Sequence, residues 1–171
     1  ASKERSAEAA AGASALLVRT AIFDAEVLTR ANALEVVSRH GVGCDNIDVG
    51  HMSGRGLPVA IAADANSTSV SEHALGLQLA GAKRLPGSDA AMRAEDWAWR
   101  SRSIGLELRG AKALVIGVGR VGSRVAKLLL AFGMEVQGYD PFLETLPEGV
   151  RRAEELDAAL IEGVRRSAHN P

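Results

Sequence analysis

The stretch Ala113–Asp140, ALVIGVGRVGSRVAKLLLAFGMEVQGYD, constrains the fold of this chain more than any other. It opens on a short apolar run, Ala113-Leu114-Val115-Ile116, with the length and β-propensity of a buried strand. Three glycines follow at the spacing Gly117-x-Gly119-x-x-Gly122. A helical pattern then takes over, with Val121, Val125, Leu128, Leu129 and Phe132 recurring on one face. Gly133 stands where a left-handed helix stop is expected, and a second strand, Met134–Tyr139, ends in Asp140. The whole reads as a strand–turn–helix–strand unit with its glycines at the turn.

Each of these residues has a physical task in such a unit. Gly117 permits the tight turn off the strand, and Gly119 lets the backbone approach a pyrophosphate with no Cβ in the way. Gly122 lets the helix pack close to the strand. The N–H groups at the start of the helix, near Arg120, then face the phosphates. Asp140 lies 18 residues beyond Gly122, at the tip of the second strand. A carboxylate there accepts both ribose hydroxyls and repels a 2′-phosphate, which favours NAD over NADP. The glycine pattern alone is a weak signal, shared with Rossmann turns that bind nothing, FAD or S-adenosylmethionine. With strand, helix and acid all in register, dinucleotide binding is the favoured reading.

The rest of the chain alternates strands with short helices. Ala15–Val18 reads as a strand with Arg19 just past it, and Asp24 is placed to cap a helix running to Arg30. Leu34–Ser38 is a second strand, followed by Arg39-His40-Gly41-Val42-Gly43, and Leu57–Ala62 is a third. The alternation predicts an α/β protein with doubly wound parallel sheets. Ser69–Arg84 reads as a helix with Val70, Ala74, Leu77 and Gly81 on one side and Leu75, Leu79 and Ala82 on an adjacent one. So wide an apolar surface is expected to be buried on more than one face, in the core and against a second subunit. Leu85–Leu108 reads as a connector without periodicity. Its arginines, Arg93, Arg100 and Arg102, fit a solvated loop better than a phosphate-facing patch. Ala153–Ile161 reads as a short helix with Leu156 and Leu160 inward, and residues 162–171 lack the further apolar strand such a fold wants. Residues 1–12 have helical propensity but little to bury.

Composition removes several partners. A formal net charge of −1 gives no electrostatic case for nucleic acid or an anionic membrane, and 4% aromatics offer no base-stacking surface. No run has the length of a membrane span, and the first residues lack the apolar core of a secretory signal. The single cysteine, Cys44, excludes an internal disulfide and suits a reducing, cytoplasmic compartment. No metal site is read from the sequence.

With these pieces placed, the chain resembles the NAD-dependent D-2-hydroxyacid dehydrogenases, most closely their phosphoglycerate-dehydrogenase-like branch. The resemblance rests on LLVRT (Leu16–Thr20), SRHGVGCDNID (Ser38–Asp48), GLPVA (Gly56–Ala60), ANSTSVSEHALGLQLAGAKR (Ala65–Arg84), LRGAKALVIGVGRVG (Leu108–Gly122) and YDPF (Tyr139–Phe142). GVGCDNID is the most specific of these, because it has no role in a generic Rossmann fold. The resemblance implies a partial, flavodoxin-like substrate domain over residues 1–67, the first half of an NAD-binding Rossmann domain over 68–161, and an atypical tail over 162–171.

Position by position, it assigns Gly117, Gly119, Arg120, Val121 and Gly122 to the pyrophosphate and Asp140 to the adenosine ribose. Val42 and the Gly41–Gly43 backbone fall where the family brings the substrate carboxylate beside the nicotinamide. Arg19 and Arg39 match substrate-facing positions of the phosphoglycerate branch. Each lies past a strand's C-terminal end, where ligands bind in open α/β sheets, although a plain surface arginine would fit there equally. Ala62 departs from the family, which often has an asparagine at that place.

The family's chemistry uses an arginine to hold the carboxylate and a glutamate-oriented histidine as acid/base, all downstream of the segments matched here. His40, His51, His73 and His169 fall in no matching context, and no catalytic residue is assigned; His73, on the apolar helix, reads as structural. The chain is therefore expected to be a fragment without turnover, lacking the family's start and its catalytic half. The reaction implied for a complete homologue is hydride transfer between a D-2-hydroxy acid and NAD. The two arginines lean towards a doubly anionic acid such as 3-phosphoglycerate. The alternative is a non-catalytic NAD-binding module of the corepressor type, while GVGCDNID and the spacing of Asp140 argue against a methyltransferase. A homodimer through the Ser69–Arg84 region is expected.

Overall fold

A computed structural model of the chain describes residues 3–160, and it divides into two compact units that part between Asn66 and Ser67. The first unit holds α1 (Lys3–Ala10), β1 (Ala15–Val18), α2 (Ala25–Arg30), β2 (Val36–Arg39), α3 (Val49–Gly54) and β3 (Val59–Ile61). The three strands form a parallel sheet in the order β1-β2-β3, with Leu16 opposite Val37 and Val37 opposite Val59. Its core gathers Val18, Phe23, Val27, Leu28, Val37, Ile47 and Met52. Asp24 caps α2 by accepting from the Val27 N–H at 3.1 Å. The other end is closed by Arg55, whose guanidinium donates to the carbonyls of Leu28 (2.7 Å) and Ala31 (3.0 Å), adding a second donor to carbonyls that also accept the Ala31 and Leu34 N–H groups. Residues 3–10, expected to bury little, form a helix whose Ser6, Ala7 and Ala10 are buried, Ala7 and Ala10 within this core. Alanine spacing of three hides so small a face from a hydrophobicity scan.

The second unit holds α4 (Ser67–Ala82), α5 (Leu85–Arg93), α6 (Trp99–Arg102), β4 (Lys112–Ile116), α7 (Arg120–Ala131), β5 (Glu135–Tyr139) and β6 (Arg151–Arg152). Its parallel sheet runs β4-β5-β6, with Val115 opposite Gly138 and Ile116 opposite Tyr139. Val115, Val118, Ala126, Leu129, Met134 and Val136 form the core, and Leu75, Leu79 and Ala82 of α4 pack against it. Both units are α/β with parallel strands, as the alternation of patterns predicts.

Further expectations are corrected. The stretch 85–108 is not a plain connector: α5 starts with Pro86 in its first turn, and the Trp99 indole donates to the Ser88 hydroxyl at 3.1 Å. Gly87 lies so close beneath Trp99 that a Cβ would meet the ring at 2.6 Å. Arg93 pairs with Asp89 at 2.8 Å, and Arg102 pairs with Asp96 while lying over the Trp99 ring. Secondly, α4 starts two residues earlier than expected, and His73, which reads as structural in sequence, is exposed; Val70 and Leu77 are exposed as well. Thirdly, the face α7 buries is centred on Ala126 and Leu129, with Val125 and Leu130 beside them, whereas Phe132 is exposed. Helix α7 sits between the sheet and α4, which turns its buried stripe towards Ala126.

Lastly, the sheet does have a third strand, before the place where one was sought. It consists of two arginines, so no apolar pattern announces it; the Ala153 N–H bonds the Gly138 carbonyl at 3.0 Å, an edge pairing that needs no apolar side chain. The helix expected from Ala153 begins at Leu156, and Leu160 is exposed rather than inward. Ile161, the tail and His169 lie outside the described residues.

Candidate functional site

The glycine turn is built by exclusion. Gly117 leaves β4 at φ +81°, a left-handed conformation that favours glycine, and its N–H still bonds the Tyr139 carbonyl at 2.8 Å. A Cβ on Gly122 would lie 1.9 Å from the Gly117 carbonyl oxygen, so only glycine lets α7 start this close to the strand. Gly119 is the opposite case. It caps α7 with no side-chain acceptor, and a Cβ there would meet nothing within 4 Å. Close packing below and open space above the helix start is the shape a pyrophosphate needs beside backbone N–H groups. Arg120, Val121 and Gly122 form the first turn of α7 at that place.

Asp140 completes the turn from the far strand. Its Oδ2 accepts the Val118 N–H at 2.8 Å and its Oδ1 accepts the Phe142 N–H at 3.0 Å. These two backbone donors, Phe142 foremost, hold the carboxyl below the usual aspartate range, with the Arg152 charge adding to them. Each oxygen keeps a lone pair for a further donor such as a ribose hydroxyl. The residues thus fit the adenosine and pyrophosphate portions of a dinucleotide on geometry of their own.

Two residues of this site escaped the sequence reading. Val118, the variable second residue of the glycine motif, is buried and plugs the turn, and a Cβ on Gly138 would strike it at 2.9 Å. A glycine inside a strand is the one available signal for such close approach.

In the first unit, Arg39 ends β2 and folds back on its own loop, its Nε donating to the Gly43 carbonyl (2.8 Å) and its Nη1 to the His40 carbonyl (2.5 Å). Gly41 takes φ +141° beside that guanidinium, and Val42 is exposed at the loop's crest. The remaining residues of the motif anchor it. Asn46 donates to the Ala21 carbonyl at 2.7 Å, Ile47 is buried and bridges to Phe23, and Asp48 caps α3 through the His51 N–H at 2.8 Å. Arg19 is exposed past β1 and has no partner among the described residues. An open cleft of about 420 Å³ is lined by Thr20, Ala21, Ile22, Asp24, Lys3 and Ser6. Lys3 reaches Asp24 at 2.8 Å and Glu26 at 2.6 Å there, which lowers the Asp24 carboxyl and raises the Lys3 ammonium.

Among the described residues no group of histidine, cysteine and acidic side chains has the arrangement of a metal site, and no helix is long and apolar enough to cross a membrane.

Residues 1–167 match the family model described as D-isomer specific 2-hydroxyacid dehydrogenase, catalytic domain. The chain is 41% identical over 149 residues to D-3-phosphoglycerate dehydrogenase of Archaeoglobus fulgidus, covering 86% of this chain and 27% of that protein. It is 46% identical over 132 residues to the D-3-phosphoglycerate dehydrogenase of Mycobacterium tuberculosis, covering 77% and 25%. Among solved structures it is similar to D-lactate dehydrogenase from Aquifex aeolicus complexed with NAD and lactic acid, with a TM-score of 0.79, 28% identity, and coverage of 86% of this chain and 45% of that one. The chain spans about a quarter of the length of these curated relatives.

Proposed function

The chain belongs to the D-isomer specific 2-hydroxyacid dehydrogenase family, and we propose that it is an NAD-binding part of an oxidoreductase moving hydride between a D-2-hydroxy acid and NAD. The observation that carries this is the Val118 N–H bound to Asp140, which fixes a carboxylate at the lip of the glycine turn. In this reading residues 68–161 are the first half of the NAD-binding domain and residues 1–67 are part of the substrate domain.

Gly117, Gly119, Arg120, Val121 and Gly122 hold the pyrophosphate through backbone N–H groups and the positive end of α7. Asp140 takes the two hydroxyls of the adenosine ribose and turns a 2′-phosphate away. When bound, NAD supplies the hydride acceptor. Val42 and the Gly41 and Gly43 backbone are proposed for the substrate carboxylate end beside the nicotinamide. Arg19 is proposed for a second anionic group, as in 3-phosphoglycerate; it matches the family's substrate-facing position and is exposed, next in sequence to Thr20, which lines the cleft. Arg39 would serve the same anion through the guanidinium edge not spent on its loop. None of the four histidines matches the family's acid/base, so these 171 residues are proposed to bind NAD without turnover. A homodimer through α4, whose Val70 and Leu77 are exposed, and a cytoplasmic location suited to the unpaired Cys44 complete the reading.

The test is an NAD titration of the chain followed by tryptophan fluorescence, with Asp140→Ala as control. Saturable binding that weakens at least about tenfold in the variant is expected, since a bond to a charged group is worth about 1.5–3 kcal/mol. The Asp140 carboxyl titrates below its ordinary value, so the charged form is favoured in the folded state. Affinity should therefore hold from neutral pH down through the ordinary aspartate range and fall only as pH drops through the lower native value. Equal binding by both chains removes the site from Asp140 and sinks the reading.

A further inference from the structure

The carboxylate that carries the proposed function sits at the start of a loop, and that loop has a clasp. Residues 140–144 leave β5, and their carbonyls converge on one side chain: Arg152 donates from Nη2 to Leu143 O (2.8 Å) and Glu144 O (2.9 Å), and from Nη1 to Asp140 O (3.5 Å). A planar guanidinium with five donors can serve several carbonyls at once, which a lysine cannot. Arg152 is itself placed by the sheet, because its register partner in β5 is Gly138, two residues before Asp140. The neighbouring Ala153 is buried, and Arg151 is tied across the sheet to Glu135 at 2.9 Å. A two-residue strand would be an odd economy if it served packing, since both its side chains are exposed. Its consequence is to bring a rigid cation to the loop whose first residue bonds both the glycine turn and, through Phe142, its own continuation.

We propose that Arg152 is the positioning residue of the dinucleotide site, clasping the 140–144 loop so that the Asp140 carboxylate is held ready for the adenosine ribose. The inference rests on the reading of Asp140 given above and extends it to a residue on a third strand that is not itself assigned a ligand contact. Arg152 acts through Asp140 alone, so its effect on NAD must vanish once the carboxylate is gone. Separately, the Phe142 and Val118 amides, both bound to Asp140, should exchange faster with solvent when the clasp is removed, with or without ligand.

The experiment is a double-mutant cycle on the 171-residue chain: wild type, Asp140→Ala, Arg152→Ala and the double variant, each titrated with NAD, and amide exchange at Val118 and Phe142 followed by NMR. Arg152→Ala should weaken NAD about three- to tenfold in the wild-type background and leave affinity unchanged in the Asp140→Ala background; such non-additivity is the mark of a residue acting through another. Arg152→Lys, which keeps the charge but not the fork, should fall between the two, and it serves as the informative variant if Arg152→Ala does not fold. Loss of affinity with Asp140→Ala but not with either Arg152 variant overturns this inference and leaves the site reading intact. Affinity indifferent to Asp140 overturns both. An equal, additive loss in both backgrounds makes Arg152 merely structural.

Discussion

Gly122 has less freedom than any other residue of the glycine turn, because the atom a Cβ would strike there, the Gly117 carbonyl oxygen at 1.9 Å, is backbone and cannot swing aside. Gly122→Ala should therefore destabilise the second unit by about 3 kcal/mol or more, the upper end for overpacking. Gly119→Ala is the contrast. Its Cβ meets open space, so the unliganded chain should melt as wild type while NAD binding weakens, the methyl standing where a phosphate would lie. Melts of the two variants, each with and without NAD, separate a packing glycine from a ligand glycine; a Gly122→Ala chain that melts with wild type would refute the close approach. These roles are legible in sequence because the glycine spacing and the acid at the end of the second strand stand in a fixed order within one unit. Val118, Gly138 and Arg152 are not legible. Each matters through a neighbour across the sheet, Val118 over Gly138 and Arg152 beside the 140–144 loop, and pairing register is not written in any one segment.

At the scale of elements, the segment GVGCDNID divides its labour. Its first half displays a loop around Arg39, and its second half fastens that loop to the sheet: Asn46 to the Ala21 carbonyl, Ile47 into the core, Asp48 onto the first turn of α3. In sequence the segment is specific, but only its displayed half suggests a role there, because a capping aspartate and a bracing asparagine look the same as ligand-facing ones. Asp48→Ala removes the cap of a six-residue helix and should cost about 1 kcal/mol, visible as a lower melting temperature and faster exchange of the His51 amide. An unchanged His51 amide would show that the cap is idle. The strong strand patterns, by contrast, were found to within a residue or two. Helices α5 and α6 are hard to see in sequence because the contacts made there, Trp99 on Gly87 and the exposed Arg93–Asp89 pair, have no hydrophobic period.

At the scale of the molecule, the chain carries two cores with no residue in common, one around Leu28, Val37 and Met52 and one around Val115, Ala126 and Leu129. A ligand that stabilises by binding the native state protects only the cooperative unit it touches, by about 2.7 kcal/mol at a hundredfold excess over Kd. ADP-ribose carries the pyrophosphate and the adenosine ribose and lacks the nicotinamide, so its proposed contacts all fall between Gly117 and Asp140. It should slow amide exchange in β4, α7 and β5 while leaving β1, β2 and β3 at their unliganded rates, as read by exchange and mass spectrometry. Slowing in β1–β3 would mean that the adenosine half of the ligand engages residues of the first unit, and the division of roles drawn from Asp140 and the glycine turn would have to be abandoned. Slowing in neither unit, at concentrations where NAD binds, would put the binding energy in the nicotinamide half and deny the glycine turn its pyrophosphate. The two-unit division makes this measurement decisive, since each core reports separately on whether a ligand has reached it.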